Sequence, residues 1–159
     1  MTVSSPPPHA GVHFPPPLLY VAGIAAGWAL DRWRPLPIAD GWSLGRAAVA
    51  VVCFAAFAAL SVAAFALFRR NRTSIIPNRP ATALVTEGPY RFTRNPMYVS
   101  LAALYVGVTM ALNSWWPLAL LPIVVLAVDR MVVAREERYL ADAFPSEYKA
   151  YRARVRRWI

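Results

Sequence analysis

The sequence has almost no cysteine or histidine. Its 159 residues include one Cys and two His. Cys53 lies inside an apolar run and has no second cysteine with which to form a disulfide or a thiolate metal cluster. His9 and His13 both lie in a Pro-rich N-terminal segment, which does not support a histidine metal site. We therefore expect this protein to bind no metal.

Charge is missing from two long stretches. Residues 47–68 and 97–128 contain no charged side chain, and about 20 apolar residues are enough to cross a bilayer as a helix. The second stretch is long enough for two helices, and its break is predicted at 113–117, where polar turn formers, two Trp and a Pro occur together. With 58% hydrophobic residues and a mean hydropathy of +0.40, the chain is too apolar for an ordinary soluble fold.

The N-terminal segment also lacks positive charge. Residues 1–17 contain no Lys or Arg, whereas a signal peptide begins with a positive region, so the apolar run 18–30 is interpreted as a retained helix. The sequence thus predicts an all-α integral membrane protein with four transmembrane helices near 15–33, 46–68, 97–112 and 115–134. We expect a flexible leader over 1–14, the first two membrane helices over 15–72 and a core over 73–159 that holds a cytosolic loop, the helical hairpin and the C-terminal helices.

Positive charge is abundant, and its placement predicts the topology. The net charge is +9, and arginines concentrate in the second connection and in the C-terminal tail. Because positive loops stay in the cytoplasm, both chain ends and the second connection are expected there, in a multi-pass protein of a bacterial inner membrane. These arginines flank hydrophobic spans, so anionic lipid head groups are the expected partner and nucleic acid is not.

The second connection ends in an unusual polar stretch, EGPYRFTRNPMY, at residues 87–98. Gly88-Pro89 predicts a turn, Pro96 suits the first position of the third helix, and Asn95 suits its N-cap. Topology arginines, a helix start and an aromatic belt would each account for single residues here. They do not require the Gly-Pro-Tyr turn or the Asn, so the set as a whole indicates a functional loop.

Two adjacent glutamates follow the hairpin. On a helix, Glu137 shares an apolar face, formed by Val133, Glu137, Leu140 and Phe144. Glu136 is rotated from it by about 100°. An exposed helix face with salt bridges is the alternative, worth at most about 0.5 kcal/mol. Buried carboxylates are costly unless paired, which favours binding of a polar or cationic ligand by this pair.

The C-terminal residues predict a short amphipathic helix. Its apolar face comprises Tyr148, Tyr151, Val155 and Trp158, and its basic residues lie largely elsewhere: Lys149, Arg152, Arg156 and Arg157. This pattern is typical of a helix lying on an anionic lipid surface. Asp129 and Arg130, which precede it at the end of the fourth helix, are expected to form only local or loop ion pairs.

Several motifs follow one another in order along the second half of the chain. They are Gly88-Pro89-Tyr90-Arg91, then Arg94-Asn95-Pro96-Met97-Tyr98, the hydrophobic hairpin, Glu136-Glu137, and Phe144-x-x-x-Tyr148-x-x-Tyr151-x-x-Arg154. This order resembles the isoprenylcysteine carboxyl methyltransferase and phospholipid methyltransferase superfamily of integral membrane enzymes, which carries Arg-His-Pro-x-Tyr, a hydrophobic spacer and Glu-Glu. The resemblance covers residues 73–159. Asn95 stands where that superfamily has His, so no imidazole is available there.

The resemblance implies a cofactor and a site. S-adenosylmethionine would bind on the cytosolic side, between the loop, the last membrane helices and the C-terminal segment. The implied catalytic residues are Arg94, Asn95 and Tyr98, and the implied cofactor-binding residues are Tyr90, Arg91, Asn95, Pro96, Tyr98, Glu136 and Glu137. The acceptor would be a lipophilic small molecule or lipid. A carboxylate is favoured, because it needs no base, and phospholipid N-methylation is the alternative.

Two other classes of function stay open at this point. A sterol-type reductase would share a C-terminal membrane architecture of this kind but would use a nicotinamide cofactor, and the sequence adds no phosphate-binding signature for it. A non-catalytic membrane interaction protein would make the ordered loop and the paired glutamates a coincidence.

Overall fold

A computed structural model describes residues 15–72 and 82–159. The predicted leader 1–14, with His9 and His13, lies outside the described residues, as do residues 73–81 of the second connection. The described residues form six α-helices: α1 (Pro17–Trp33), α2 (Leu44–Arg70), α3 (Pro96–Leu112), α4 (Trp115–Val128), α5 (Ala134–Ala143) and α6 (Pro145–Arg154). A 3₁₀ turn (Gly88–Arg91) precedes α3, and one π-helical turn (Asp129–Val133) joins α4 to α5. These residues contain no β-strand, only an isolated bridge between Pro37 and Ser114.

Two helices of the described part are long and apolar enough to cross a bilayer. They are Leu44–Arg70, with 27 residues, and Trp115–Ala143, with 29 residues that run through the π turn without a break. Pro96–Leu112 is a shorter apolar helix, and α1 has 17 residues as well. The all-helical class is confirmed, whereas the crossings expected for α1 and α3 stay a prediction.

Close contacts between small residues and their neighbours hold the helices together. The helix α3 packs along α2, and α1 packs along α4. A Cβ atom placed on Gly27 of α1 would lie 2.6 Å from the backbone of Pro117 in α4, and one on Gly107 of α3 would lie 2.8 Å from the ring of Phe54 in α2. The missing side chains therefore allow the helices to approach one another closely, as is common where helices pack in lipid.

The hairpin turn between α3 and α4 is locked to the first connection. Asn113 has a left-handed backbone with φ of 54°, and its side-chain amide exchanges two hydrogen bonds of 3.1 and 2.9 Å with the backbone of Ala39. Ser114 accepts from the Trp116 N–H as the N-cap of α4 and donates to Asp31 at 2.7 Å. The break predicted at 113–117 is thus confirmed, and this end of the bundle is sealed by hydrogen bonds.

At the opposite end of the bundle, α6 buries two tyrosines and leaves its other residues exposed. Tyr148 and Tyr151 are 2% and 3% exposed and pack against Ala64, Val85 and Tyr90. Two predictions for this segment are wrong. Its apolar tyrosines do not face lipid, because α2 and the loop cover them. The helix also stops at Arg154, since Val155 has extended backbone angles, and Val155 and Trp158 therefore lie beyond it.

Candidate active site

Four segments meet at the end of the bundle where α6 lies. They are the loop between the 3₁₀ turn and α3, the π turn, the first turn of α5, and the extended tail at residues 155–159. The loop and the tail are joined by backbone: the Arg94 N–H donates to the Arg156 carbonyl at 2.9 Å. Residues that are far apart in sequence are therefore held side by side here.

Glu137 lies at the centre of an ion network. Its carboxylate accepts from Arg94 Nε and Nη2 at 3.0 and 2.8 Å through one oxygen and from Arg157 Nη2 at 2.5 Å through the other. The residue is 8% exposed. Both oxygens thus have a cationic partner, which is the condition under which a buried carboxylate is tolerated.

The two arginines of this network have further partners. Arg94 Nη1 donates to the carbonyls of Arg152 and Val155 at 3.3 and 2.8 Å. Arg157 Nη1 lies 3.3 Å from both carboxylate oxygens of Asp129. The hydrogen bond with Glu137 raises the pKa of the Arg157 guanidinium, with Asp129 acting in the same direction. Together, these two side chains connect the loop, the tail and the π turn.

Glu136 is oriented differently from its neighbour. The hydroxyl of Tyr98, a buried residue at the start of α3, donates to one Glu136 oxygen at 2.7 Å. Glu136 is half-buried, and its second oxygen has no hydrogen-bond partner among the described residues. Burial, followed by the charge of Glu136, raises the pKa of the Tyr90 phenol on the 3₁₀ turn, which therefore stays neutral. The structure thus brings Tyr90, Tyr98 and Glu136 together, and one carboxylate oxygen of Glu136 can still accept a hydrogen bond.

Asn95 occupies the predicted N-cap position, but its side chain bonds to the tail. It stands at the N-cap position of α3, and Pro96 is buried at the first position, as expected, but the Asn95 side chain makes no capping hydrogen bond. Its Nδ2 instead donates to the Arg157 carbonyl at 2.9 Å. Thr93 Oγ1 donates to the same carbonyl at 3.0 Å and accepts from the Asn95 N–H. The N-cap position is thus confirmed, whereas the side-chain hydrogen bond typical of an N-cap is not formed.

Three residues of the site were not found from the sequence. Arg157 was assigned to a lipid-facing helix, Trp158 to its apolar face, and Asp129 to incidental pairing. In the structure Trp158 Nε1 donates to Asp129 Oδ1 at 2.9 Å, next to the contact between Asp129 and Arg157. The only available signal was the carboxylate of Asp129 at the end of an apolar run, since such a group needs a partner.

The contacts between Arg94 and Glu137 and between Tyr98 and Glu136 lie within a region that matches a known family. The sequence profile of the family described as phospholipid methyltransferase matches residues 45–147. The chain belongs to the phospholipid methyltransferase family. This family is part of the membrane superfamily of isoprenylcysteine and phospholipid methyltransferases, so the resemblance found in the sequence is confirmed.

Other comparisons add little to this assignment. An uncharacterized protein of Haemophilus influenzae is 35% identical over 63 residues, which are 40% of this chain and the whole of that protein. No solved structure matches the chain. The phospholipid methyltransferase match ends at residue 147, so the contacts made by the tail at residues 155–159 lie beyond it.

The residues present suit the methyl donor expected of a phospholipid methyltransferase family member. A carboxylate oxygen without a partner can accept from hydroxyl or ammonium groups, and tyrosine faces attract a cation. Glu136, Tyr90 and Tyr98 supply these groups together. Arg91 is exposed at the end of the 3₁₀ turn.

Proposed function

We propose that this protein is an integral membrane methyltransferase that uses S-adenosylmethionine to methylate a lipophilic acceptor. One observation carries the proposal: within the family region, a half-buried Glu136 is held by Tyr98 with one oxygen unused. An oriented carboxylate with spare acceptor capacity is costly to keep at the end of an apolar bundle unless it binds something. The class of enzyme comes from the family, and the cofactor and the site residues are the proposal.

In the proposed site, some residues bind the cofactor and others fix the position of the loop. Glu136 would accept from the ribose hydroxyls or the ammonium group of the cofactor, and the rings of Tyr90 and Tyr98 would line the cationic sulfur. Arg91, which is exposed, would contact the carboxylate of the cofactor. Arg94 and Glu137 neutralise each other, and Asn95 is bonded to the tail, so in this proposal Arg94, Asn95 and Glu137 fix the loop against α5.

Catalysis by this site would depend mainly on positioning. When bound, S-adenosylmethionine would supply an electrophilic methyl group for transfer to the acceptor, with the thioether as the leaving group. The residues of the chain would hold the acceptor next to the cofactor and keep water out, which are recognised sources of acceleration. No base is needed if the acceptor atom already carries a free electron pair.

The absence of an imidazole at Asn95 favours a carboxylate as acceptor, because a carboxylate is already ionised at neutral pH. The description of the family favours a second candidate, the amine of a phospholipid. An ammonium group must lose a proton before it can attack, and a water molecule could accept it. Assays of the purified protein with a prenylcysteine analogue and with phosphatidylethanolamine, side by side, distinguish the two acceptors.

The placement in the membrane follows the charge pattern. We propose four crossings made by α1, α2, α3 and the helix Trp115–Ala143, with the site and both chain ends in the cytoplasm of a bacterial cell. The arginines of the second connection and the tail support this orientation. An acceptor could then enter the site from the lipid, which gives a reason for such chemistry to take place in a membrane protein.

Calorimetric titration of S-adenosylhomocysteine into the detergent-purified protein tests the proposal. We expect the parent chain to bind and Glu136→Gln to bind about tenfold more weakly or worse, since a hydrogen bond to a charged group contributes about 1.5–3 kcal/mol. Glu147→Gln is the matched control, because Glu147 is exposed on α6. A folded parent that does not bind would reject the proposal, and thermal stabilisation by NADPH would then favour the reductase.

A further inference from the structure

The tail at residues 155–159 makes more hydrogen bonds to the site than its short length suggests. Its backbone carbonyls accept from three consecutive residues of the loop: Thr93 and Asn95 through their side chains, and Arg94 through both its backbone and its guanidinium. None of these contacts is a helix or sheet hydrogen bond. The loop is therefore held by the tail as well as by the pair that Arg94 forms with Glu137 of α5.

The side chains of the tail bind the opposite wall of the site. Arg157 spans two carboxylates on one continuous helix, Asp129 in the π turn and Glu137 in α5. Trp158 donates to Asp129 and packs against the core cluster that contains Tyr98 and Val132. The same five residues thus contact the loop through carbonyl groups and the helix through a guanidinium and an indole.

Arg157 connects these contacts to Glu136. Asp129 and Glu137 are bridged across the π turn, where one extra residue per turn changes the direction of the following side chains. Glu136 is the immediate neighbour of Glu137, so the direction in which it points depends on how Glu137 is held. Without Arg157, the only cationic partner of Glu137 would be Arg94, which belongs to the loop. The side-chain bridge between Asp129 of the π turn and Glu137 of α5 would also be lost.

We propose that residues 155–159 form a latch and that Arg157 is the positioning residue that aims Glu136 at the ligand. The inference rests on the proposed function for the identity of the ligand. The latch lies after residue 147, where the family match ends. Arg157 does not touch the ligand in this proposal; it acts through Glu137 and Asp129. Its side chain is 35% exposed, so it can be replaced without opening the core.

The test compares Arg157→Ala with Arg156→Ala, which removes the same charge from the exposed neighbour. Hydrogen–deuterium exchange is measured on peptides that cover residues 88–95 and 129–139 without ligand, and binding of S-adenosylhomocysteine is measured by calorimetry. We expect Arg157→Ala to speed exchange in both peptides and to weaken binding about tenfold or more. Arg156→Ala should change neither, because its backbone carbonyl is retained.

Arg157→Lys provides the second variant if Arg157→Ala folds poorly. Lysine keeps one charge but not the fork that reaches two carboxylates, so we expect binding between that of Arg157→Ala and the parent, with normal thermal stability. Faster exchange with unchanged binding would overturn the positioning role and leave a structural tail. Unchanged exchange would overturn the latch. If the parent does not bind, the proposed function is rejected, and the exchange comparison alone decides whether the latch exists.

Discussion

Arg94 and Glu137, which are 43 residues apart in sequence, are joined by two hydrogen bonds of 3.0 and 2.8 Å. The pair ties the loop before α3 to α5, across the end of the bundle where the candidate site lies. Both side chains are about nine-tenths buried. Because Arg157 binds the other oxygen of Glu137, one carboxylate holds two cationic segments in place.

Replacing Glu137 with Ala should destabilise the protein strongly. The change leaves Arg94 buried without its counter-ion and facing Arg157, and loss of one partner of a buried pair costs about 3–5 kcal/mol. Thermal unfolding in detergent, followed by circular dichroism, measures the effect. Glu147→Ala, at an exposed position of α6, is the control and should leave the melting temperature unchanged. Equal melting temperatures for the two variants would show that the pair contributes nothing to stability.

Asn95 should tolerate Ala better than Asp. Asn95→Ala removes one donor to the Arg157 carbonyl, but Thr93 still donates to that carbonyl, so we expect a loss of about 1 kcal/mol. Asn95→Asp keeps the shape and turns the donor into a buried charge facing a carbonyl oxygen, which should cost more. Denaturation of both variants under identical conditions ranks them. A more stable Asp variant would mean that the amide does not donate as described.

The two long apolar runs determined most of what could be predicted about the fold. The helix predicted at 46–68 is found as α2, and the break at 113–117 is found because Asn113 and Ser114 are turn formers in an apolar context. The π turn at Asp129 was not predicted, since it keeps the helical pattern and only adds one residue to one turn. The end of α6 was missed because nothing in the sequence after Arg154 disfavours a helix.

The candidate site could be predicted only in part, for a physical reason. The loop and the Glu pair carry residue types that are expensive in a membrane, and the structure does bring Tyr98 to Glu136 and Arg94 to Glu137. The tail contributes mostly backbone carbonyls, such as that of Arg157. Every residue has a backbone carbonyl, so the sequence does not show which of them accept hydrogen bonds from the loop. From its sequence context, Arg157 cannot be distinguished from an arginine that binds lipid head groups. Only the structure shows that it pairs with Asp129 and Glu137.

The free energy of unfolding should fall at alkaline pH, in part because the Tyr148 phenol is buried. Burial, then the nearby Glu137 carboxylate, raises the pKa of this phenol from 10.0 to about 12. Between these values the unfolded chain loses the proton while the folded protein keeps it, so the contribution to stability is complete below pH 10 and is lost as the pH rises toward 12. The slope from this group is at most about 1.4 kcal/mol per pH unit.

Chemical denaturation at a series of pH values, with absorbance of tyrosinate recorded in parallel, measures that slope. Tyr148→Phe has no proton to lose and should give a flatter stability curve above pH 10. Other tyrosines also have raised pKa values, Tyr90 and Tyr151 among them. They are present in both proteins, so their contributions to the slope cancel in the comparison. Identical slopes for the parent and the variant would contradict the burial of the Tyr148 hydroxyl.

Gly27→Ala should disrupt the packing of α1 on α4, and Gly45→Ala should not. The new Cβ at Gly27 would lie 2.6 Å from the backbone of Pro117, which cannot move like a side-chain tip, whereas the nearest atom at Gly45 would be 3.9 Å away. Overpacking of this kind costs about 1–3 kcal/mol. At Gly45, near the start of α2, Ala has the higher helix propensity and should be neutral or slightly stabilising.

Thermal unfolding of the two glycine variants measures this difference, since both replace Gly by the same residue in a helix. The nearby hydrogen bond between Ser114 and Asp31 joins α4 to α1 at the same end of the bundle, so a strained Gly27→Ala protein should also show faster hydrogen exchange around residues 113–117. A Gly27→Ala protein as stable as the parent would mean that α1 can shift away from α4 at little cost. In that case α1 would not be a fixed part of the bundle, and its proposed membrane crossing would lose the packing that supports it.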